Sequence, residues 1–161
     1  MKSFLILLVP FFLAAPSSIN DVREAFQKAE NSKEVAEEFH ELMKKELHLN
    51  KNVKKAYLGA SMTLLAKHDG SIQERVKMFN AGKEHIEKAV EEEPHNLEIR
   101  IVRLLIQYNA PAILGYRANI EMDKEFILEN FSKASPDLKK YIQDIAKETK
   151  VFSPEEKALL K

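Results

Sequence analysis

Leu97–Asn109, LEIRIVRLLIQYN, is the stretch whose reading decides the fold. A helix turns about 100° per residue, and on that period Ile99, Ile101, Val102, Leu104, Leu105, Ile106 and Tyr108 spread around most of its circumference. Only one narrow edge is strongly polar, carrying Arg100, Arg103 and Gln107 at i, i+3 and i+7. A helix apolar on nearly every side must be enclosed by others. The spacing therefore predicts a central helix inside an all-helical array, with a small basic stripe along its polar edge.

Composition agrees. A chain of 161 residues, 45% hydrophobic and 31% charged with only 4 Gly, is long enough to bury a core and has the balance of an ordered helical protein. No run of alternating apolar and polar residues reaches strand length. Basic and acidic residues balance at 25 each, with no basic pole. That argues against nucleic acid and against an anionic membrane surface as partners.

The N-terminus reads as a targeting segment. Lys2 supplies a positive start, Phe4 to Leu13 is apolar, and Ala14-Ala15-Pro16-Ser17-Ser18 is a run of small residues. This is the anatomy of a secretory signal peptide, too short to span a bilayer. Pro16 disfavours cleavage directly after Ala15, so the boundary is placed after Ser17. The reading is a signal peptide over 1–17 and one all-helical domain over 18–161. The chain has no Cys, so a small exported protein of this kind must be held by packing alone, which fits a bacterial periplasm or secretion.

Working outward from the central stretch, caps and breakers divide the chain into about seven or eight helices. Ser18 or Asn20 caps a first helix with Val22, Phe26 and Ala29 on one face, and Ser32 caps a second with Val35, Phe39, Leu42, Met43 and Leu47. A third, from about Val53 to Lys67, turns Tyr57, Ala60, Ser61, Leu64 and Leu65 inward, and Gly59 with Ala60 permits a close neighbour. Ser71 and Glu74 form a capping box for a fourth, Ile72 to Glu92, whose inward face is Val76, Phe79, Gly82, Ile86, Ala89 and Val90. Beyond Pro111, a short connection carries Ile113, Leu114 and Tyr116, and Asn119 begins a sixth helix. Ser135-Pro136 and Ser153-Pro154 each combine a cap with proline at the first helical position, starting a seventh helix and a tail helix.

Helix starts recur at a spacing of roughly 40 residues, as in helix-hairpin repeats. Gly82, Ile86, Ala89 and Pro94 resemble the second helix of a tetratricopeptide repeat and the turn after it, with Pro94-His95-Asn96 as the step onward. Arg100 stands where such a repeat places an aromatic, so the resemblance implies a tetratricopeptide-like antiparallel helix-hairpin array without regular repeats. Glu98-Ile99-Arg100, Arg103-Leu104, Gln107, Asn109, Pro111, Leu114, Tyr116, Asn119-Ile120, Asp123-Lys124 and Phe126-Ile127 resemble a segment of small exported helical proteins of Bacteroidetes-type bacteria. That likeness implies the same fold and compartment and carries no chemistry.

Two groups of residues are candidates for binding. Arg100, Arg103 and Gln107 present two guanidiniums and an amide suited to a carboxylate or phosphate. The alternative is internal ion pairing with Asp123, Glu121 or Glu84, because a buried Arg needs a partner. Asn109, Tyr116 and Asn119 either line a pocket at the end of the central helix or tie down its turn. No catalytic motif is present. The five His residues have no metal-ligand spacing, Ser61 and Ser71 lack a nucleophile elbow, and no Gly-rich phosphate loop exists. Neither cofactor nor metal is expected. The expectation is a non-enzymatic exported module that binds a peptide or protein partner; the alternatives are a structural envelope protein without a ligand and an enzyme without a recognisable motif.

Overall fold

The computed structural model describes residues 18–45, 48–68 and 70–161; the leader, and Leu47 on the second helix's apolar stripe, lie outside them. Eight α-helices account for these residues: α1 (Ile19–Lys28), α2 (Lys33–Lys45), α3 (Lys51–Leu65), α4 (Ile72–Glu92), α5 (Leu97–Asn109), α6 (Ile120–Asn130), α7 (Pro136–Glu148) and α8 (Pro154–Leu159). Short 3-10 turns at Ala112–Leu114 and Phe131–Lys133 complete the set, and no strand occurs among the described residues. The all-helical reading and the number of helices are as expected.

The caps sit where the sequence puts them. Ser71 and Glu74 close the capping box of α4, and Ser153 and Glu156 close another on α8. Ser18 caps α1 with Asp21 as its reciprocal partner. Helix α3 begins earlier than Val53, at Lys51. The Asn50 side chain accepts from the N–H groups of Asn52 and Val53, satisfying donors that a later start would leave outside the helix.

The central helix is enclosed as predicted. Every residue of α5 from Ile101 to Gln107 is buried, together with Glu98 and Ile99. Helices α3, α4 and α6 pack directly against it. A second concentration of core joins α1, α2 and α3, where Phe26, Phe39 and Tyr57 meet with ring centroids 5.5–6.4 Å apart.

Helices α3 and α4 form the most extensive pair in the fold. They meet backbone to backbone at Gly59 and Gly82. A Cβ built on Gly82 would stand 2.5 Å from the Gly59 carbonyl oxygen and 3.0 Å from the Thr63 nitrogen. Backbone atoms cannot retreat cheaply, so Gly82→Ala must push the helices apart. We expect a net loss of about 1–3 kcal/mol in spite of alanine's higher helix propensity. Thermal melting checks this; an unchanged or raised midpoint would contradict the close contact.

One expectation for α4 fails. Val76 does not face inward: it is 39% exposed, and Ile72, one turn earlier, is 79% exposed. Residues 71–77 are exposed around the whole helix. The apolar stripe Ile72, Val76, Phe79 continues the core face of α4, but of the three only Phe79 is buried.

Candidate functional site

The polar edge of α5 is used within the fold. Asp123, on the first turn of α6 and fully buried, accepts from Arg103 Nε and Nη2 at 2.7 Å each and from Arg100 Nη1 at 2.8 Å. Arg103 Nη1 donates to Glu87 of α4 at 2.9 Å, and the Tyr116 hydroxyl donates to the other Glu87 oxygen at 2.6 Å. Arg100 lies over the Phe126 ring and donates from Nε to the Pro94 carbonyl. The i, i+3 spacing on α5 places both guanidiniums on one side, and one carboxylate from α6 holds both. Of the three acids the sequence offered as partners, Asp123 takes that part. Glu121 pairs with Lys124 instead, and Glu87 stands where Glu84 was considered.

Gln107 and Asn119 tie a turn. The Gln107 carbonyl oxygen accepts the Asn119 backbone N–H at 3.1 Å, while its amide nitrogen, buried, has no hydrogen-bond partner. Tyr116 is buried against Phe79. The six candidate residues therefore do not converge on one open site. Arg103, Gln107 and Tyr116 are interior, Arg100 is held between Phe126 and Asp123, and Asn119 sits at the start of α6. Of the six, Asn109 borders the cavity at the end of α5.

That cavity, about 550 Å³, is at the end of α5 and is walled by the open half of α4. Ile72, Val76 and Phe79 form one wall, and Pro111 with Ile113 and Leu114 of the 3-10 turn it caps form the other. Leu64 of α3 and Ile106 of α5 contribute to its lining. Ile113 is 94% exposed at its lip. The rim is polar. Glu30 accepts from Lys67 at 3.3 Å and from Asn109 at 3.1 Å, and Arg75 donates to the Ala66 carbonyl at 3.0 Å. Asn80 also borders it. An apolar trough of this volume with a few polar groups at its edge is the usual form of a ligand site.

A second buried network escaped the sequence reading. Glu98, at the start of α5, accepts from Arg23 Nε at 2.9 Å and Nη2 at 2.5 Å, and from the Tyr57 hydroxyl at 2.5 Å. Tyr141 of α7 lies beneath the Arg23 guanidinium, 5.0 Å from Cζ to ring centroid. The network joins α1, α3, α5 and α7. A lone acid in the most apolar run of the chain was the available signal, since a buried carboxylate requires donors. Its partners are 75 and 41 residues away and share no local pattern with it.

Burial raises the Tyr57 hydroxyl well above its ordinary range, with the Tyr141 and Glu98 charges adding to the effect. Burial likewise raises Tyr116, reinforced by Glu87, and Tyr141, reinforced by Glu98. The fold favours the neutral phenols, so their contribution is complete below about pH 10, where free tyrosine ionises, and is lost as pH rises beyond it. We expect these three tyrosines to ionise only as the protein unfolds in alkali. Near-ultraviolet absorbance reads this directly in a chain without Trp; smooth ionisation of all 4 Tyr with the helical circular dichroism intact would contradict it.

His40 Nδ1 lies 2.8 Å from Ser61 Oγ, a pairing that invites comparison with a nucleophile and its base. The hydroxyl, however, donates to the Leu58 carbonyl at 2.7 Å, so the imidazole is the donor in this contact. That is the reverse of general-base activation, and Ser61 is fully buried. Among the described residues no group of acids or histidines is arranged to hold a metal ion, and no helix is long and apolar enough to cross a membrane.

No protein-family model, curated protein or solved structure matches this chain.

Proposed function

We propose that this chain is an exported, non-enzymatic helical module that holds a peptide segment of a partner protein in the apolar groove between α4 and the Ala112–Leu114 turn. The observation that carries the reading is the groove itself. Three large aliphatic side chains, Ile72, Val76 and Ile113, stand exposed together around one cavity. Clustered exposed apolar surface marks interaction sites, whereas single exposed side chains are ordinary. The Asn80 and Asn109 amides at the rim bring donors and acceptors that suit a peptide backbone. A structural envelope protein would share the paired Arg100 and Arg103; it would have no use for the groove. Export rests on the Lys2, Phe4–Leu13 and small-residue pattern of the leader.

The test uses the protein expressed from its full chain, offered to arrayed peptides of graded hydropathy. The expected result is retention on apolar peptides, lost in the Ile72→Glu, Ile113→Glu double variant. No retention, or equal retention by the variant, would overturn the groove as the site. Mass spectrometry of the exported product should find a new N-terminus near Ser18; an intact leader on protein kept in the cytoplasm would overturn export.

A further inference from the structure

Resting on that reading, we infer that the groove takes an amphipathic helix whose aliphatic stripe is flanked by acidic residues. Ile72, Val76 and Phe79 recur at i, i+4 and i+7, the spacing of a helix face that packs on another helix. Over residues 71–77 the helix is exposed, Ile72 at 79% and Val76 at 39%. The wall opposite, at Ile113, belongs to a 3-10 turn and leaves an open trough rather than a closed pocket. An apolar helix stripe facing an open trough is the geometry of helix-in-groove recognition.

Charge around the trough selects the sign of the partner. Glu74 bonds the Ser71 cap and does not line the trough; Glu30, which does, pairs with Lys67 and accepts from Asn109. Arg75 stands beside Val76 on the trough and donates to the Ala66 carbonyl, an uncharged acceptor; among the described residues it makes no ion pair. Of the charged groups that line the trough, Lys67 and Glu30 pair with each other, so Arg75 sets the sign beside the stripe; carboxylates on the incoming helix are complementary to it and ammonium groups are not.

The experiment compares three synthetic peptides: one with leucines at i, i+4 and i+7 flanked by glutamates, the same stripe flanked by lysines, and a glutamate-rich peptide with the leucines scrambled out of register. Binding to the full-chain product is followed by fluorescence anisotropy and by the methyl signals of Ile72, Val76 and Ile113. The glutamate-flanked helix should bind and move those methyls, and the lysine-flanked one should bind roughly tenfold more weakly or worse. Arg75→Glu should invert the preference; a carboxylate in the first turns of α4 suits the helix dipole, so the variant folds. Equal binding of the two stripes would overturn the inference while leaving the groove as a peptide site. So would binding of the scrambled peptide as tightly as the ordered one, which points to an extended occupant. Binding of none of these, together with none on the peptide array, removes both proposals. Sedimentation showing that the chain pairs with itself through Val76 and Ile113 would assign the groove to a second copy and overturn the inference.

Discussion

Replacing Asp123 with alanine is expected to destabilise the fold by about 3–5 kcal/mol, the usual result of breaking a buried ion pair from one side. Two guanidiniums depend on this carboxylate. Arg103 is almost fully buried and makes a two-pronged contact with it, so its loss leaves an interior cation with only Glu87 as counter-charge. Arg100 is less committed because it is partly exposed and retains the Pro94 carbonyl and the Phe126 ring. Arg103→Ala should therefore be worse than Arg100→Ala. In a double-mutant cycle, Arg103 and Asp123 should couple strongly, while Glu87→Gln, at a half-exposed carboxylate, should cost little. Since about 1 kcal/mol moves the midpoint of a chain this size by roughly 2–4 °C, Asp123→Ala should melt on the order of ten degrees lower. A midpoint within two degrees or so of the parent would mean that the stripe is solvated, and a ligand anion on Arg100 and Arg103 would become the better reading of those residues.

Glu98→Ala is expected to have an effect of similar size, about 3–5 kcal/mol, by a different route. The carboxylate is the shared acceptor for Arg23 on α1 and Tyr57 on α3, and Tyr141 of α7 packs on the same guanidinium. Removing it strands a buried cation and a buried hydroxyl together. Helix α1 has little other polar attachment to α5, so local opening of α1 should accompany the loss in global stability. Hydrogen exchange on residues 19–28 would show it as lost protection, beyond the change in midpoint. Glu98→Gln retains an acceptor for Tyr57 but not the charge for Arg23, and should fall between. If Glu98→Ala leaves the protection of α1 intact, the network does not fasten that helix.

The two networks differ in how far they could be read in advance. Arg100 and Arg103 stood out because α5 is apolar elsewhere, and the need of a buried Arg for an acid nominated Asp123 together with Glu121 and Glu84; only the structure chose among them. Glu98 carried the same information on its own. Its partners, however, come from helices 75 and 41 residues away, and no local spacing announces such a meeting. The groove was hidden for the opposite reason. Val76 has the periodicity of a core residue, and periodicity alone does not report whether a neighbour is present.

What the amino-acid sequence determined by itself is the helical class, the approximate helix boundaries and the enclosure of Leu97–Asn109. These follow from short-range rules: caps within three residues, proline at first turns, and a 3.6-residue apolar period. Tertiary structure alone decided which acids hold the arginines, that Gly59 and Gly82 touch backbone to backbone, and that the first two turns of α4 stay exposed beside a groove. Those outcomes depend on where helices end relative to one another in space, a long-range quantity that local periodicity does not encode.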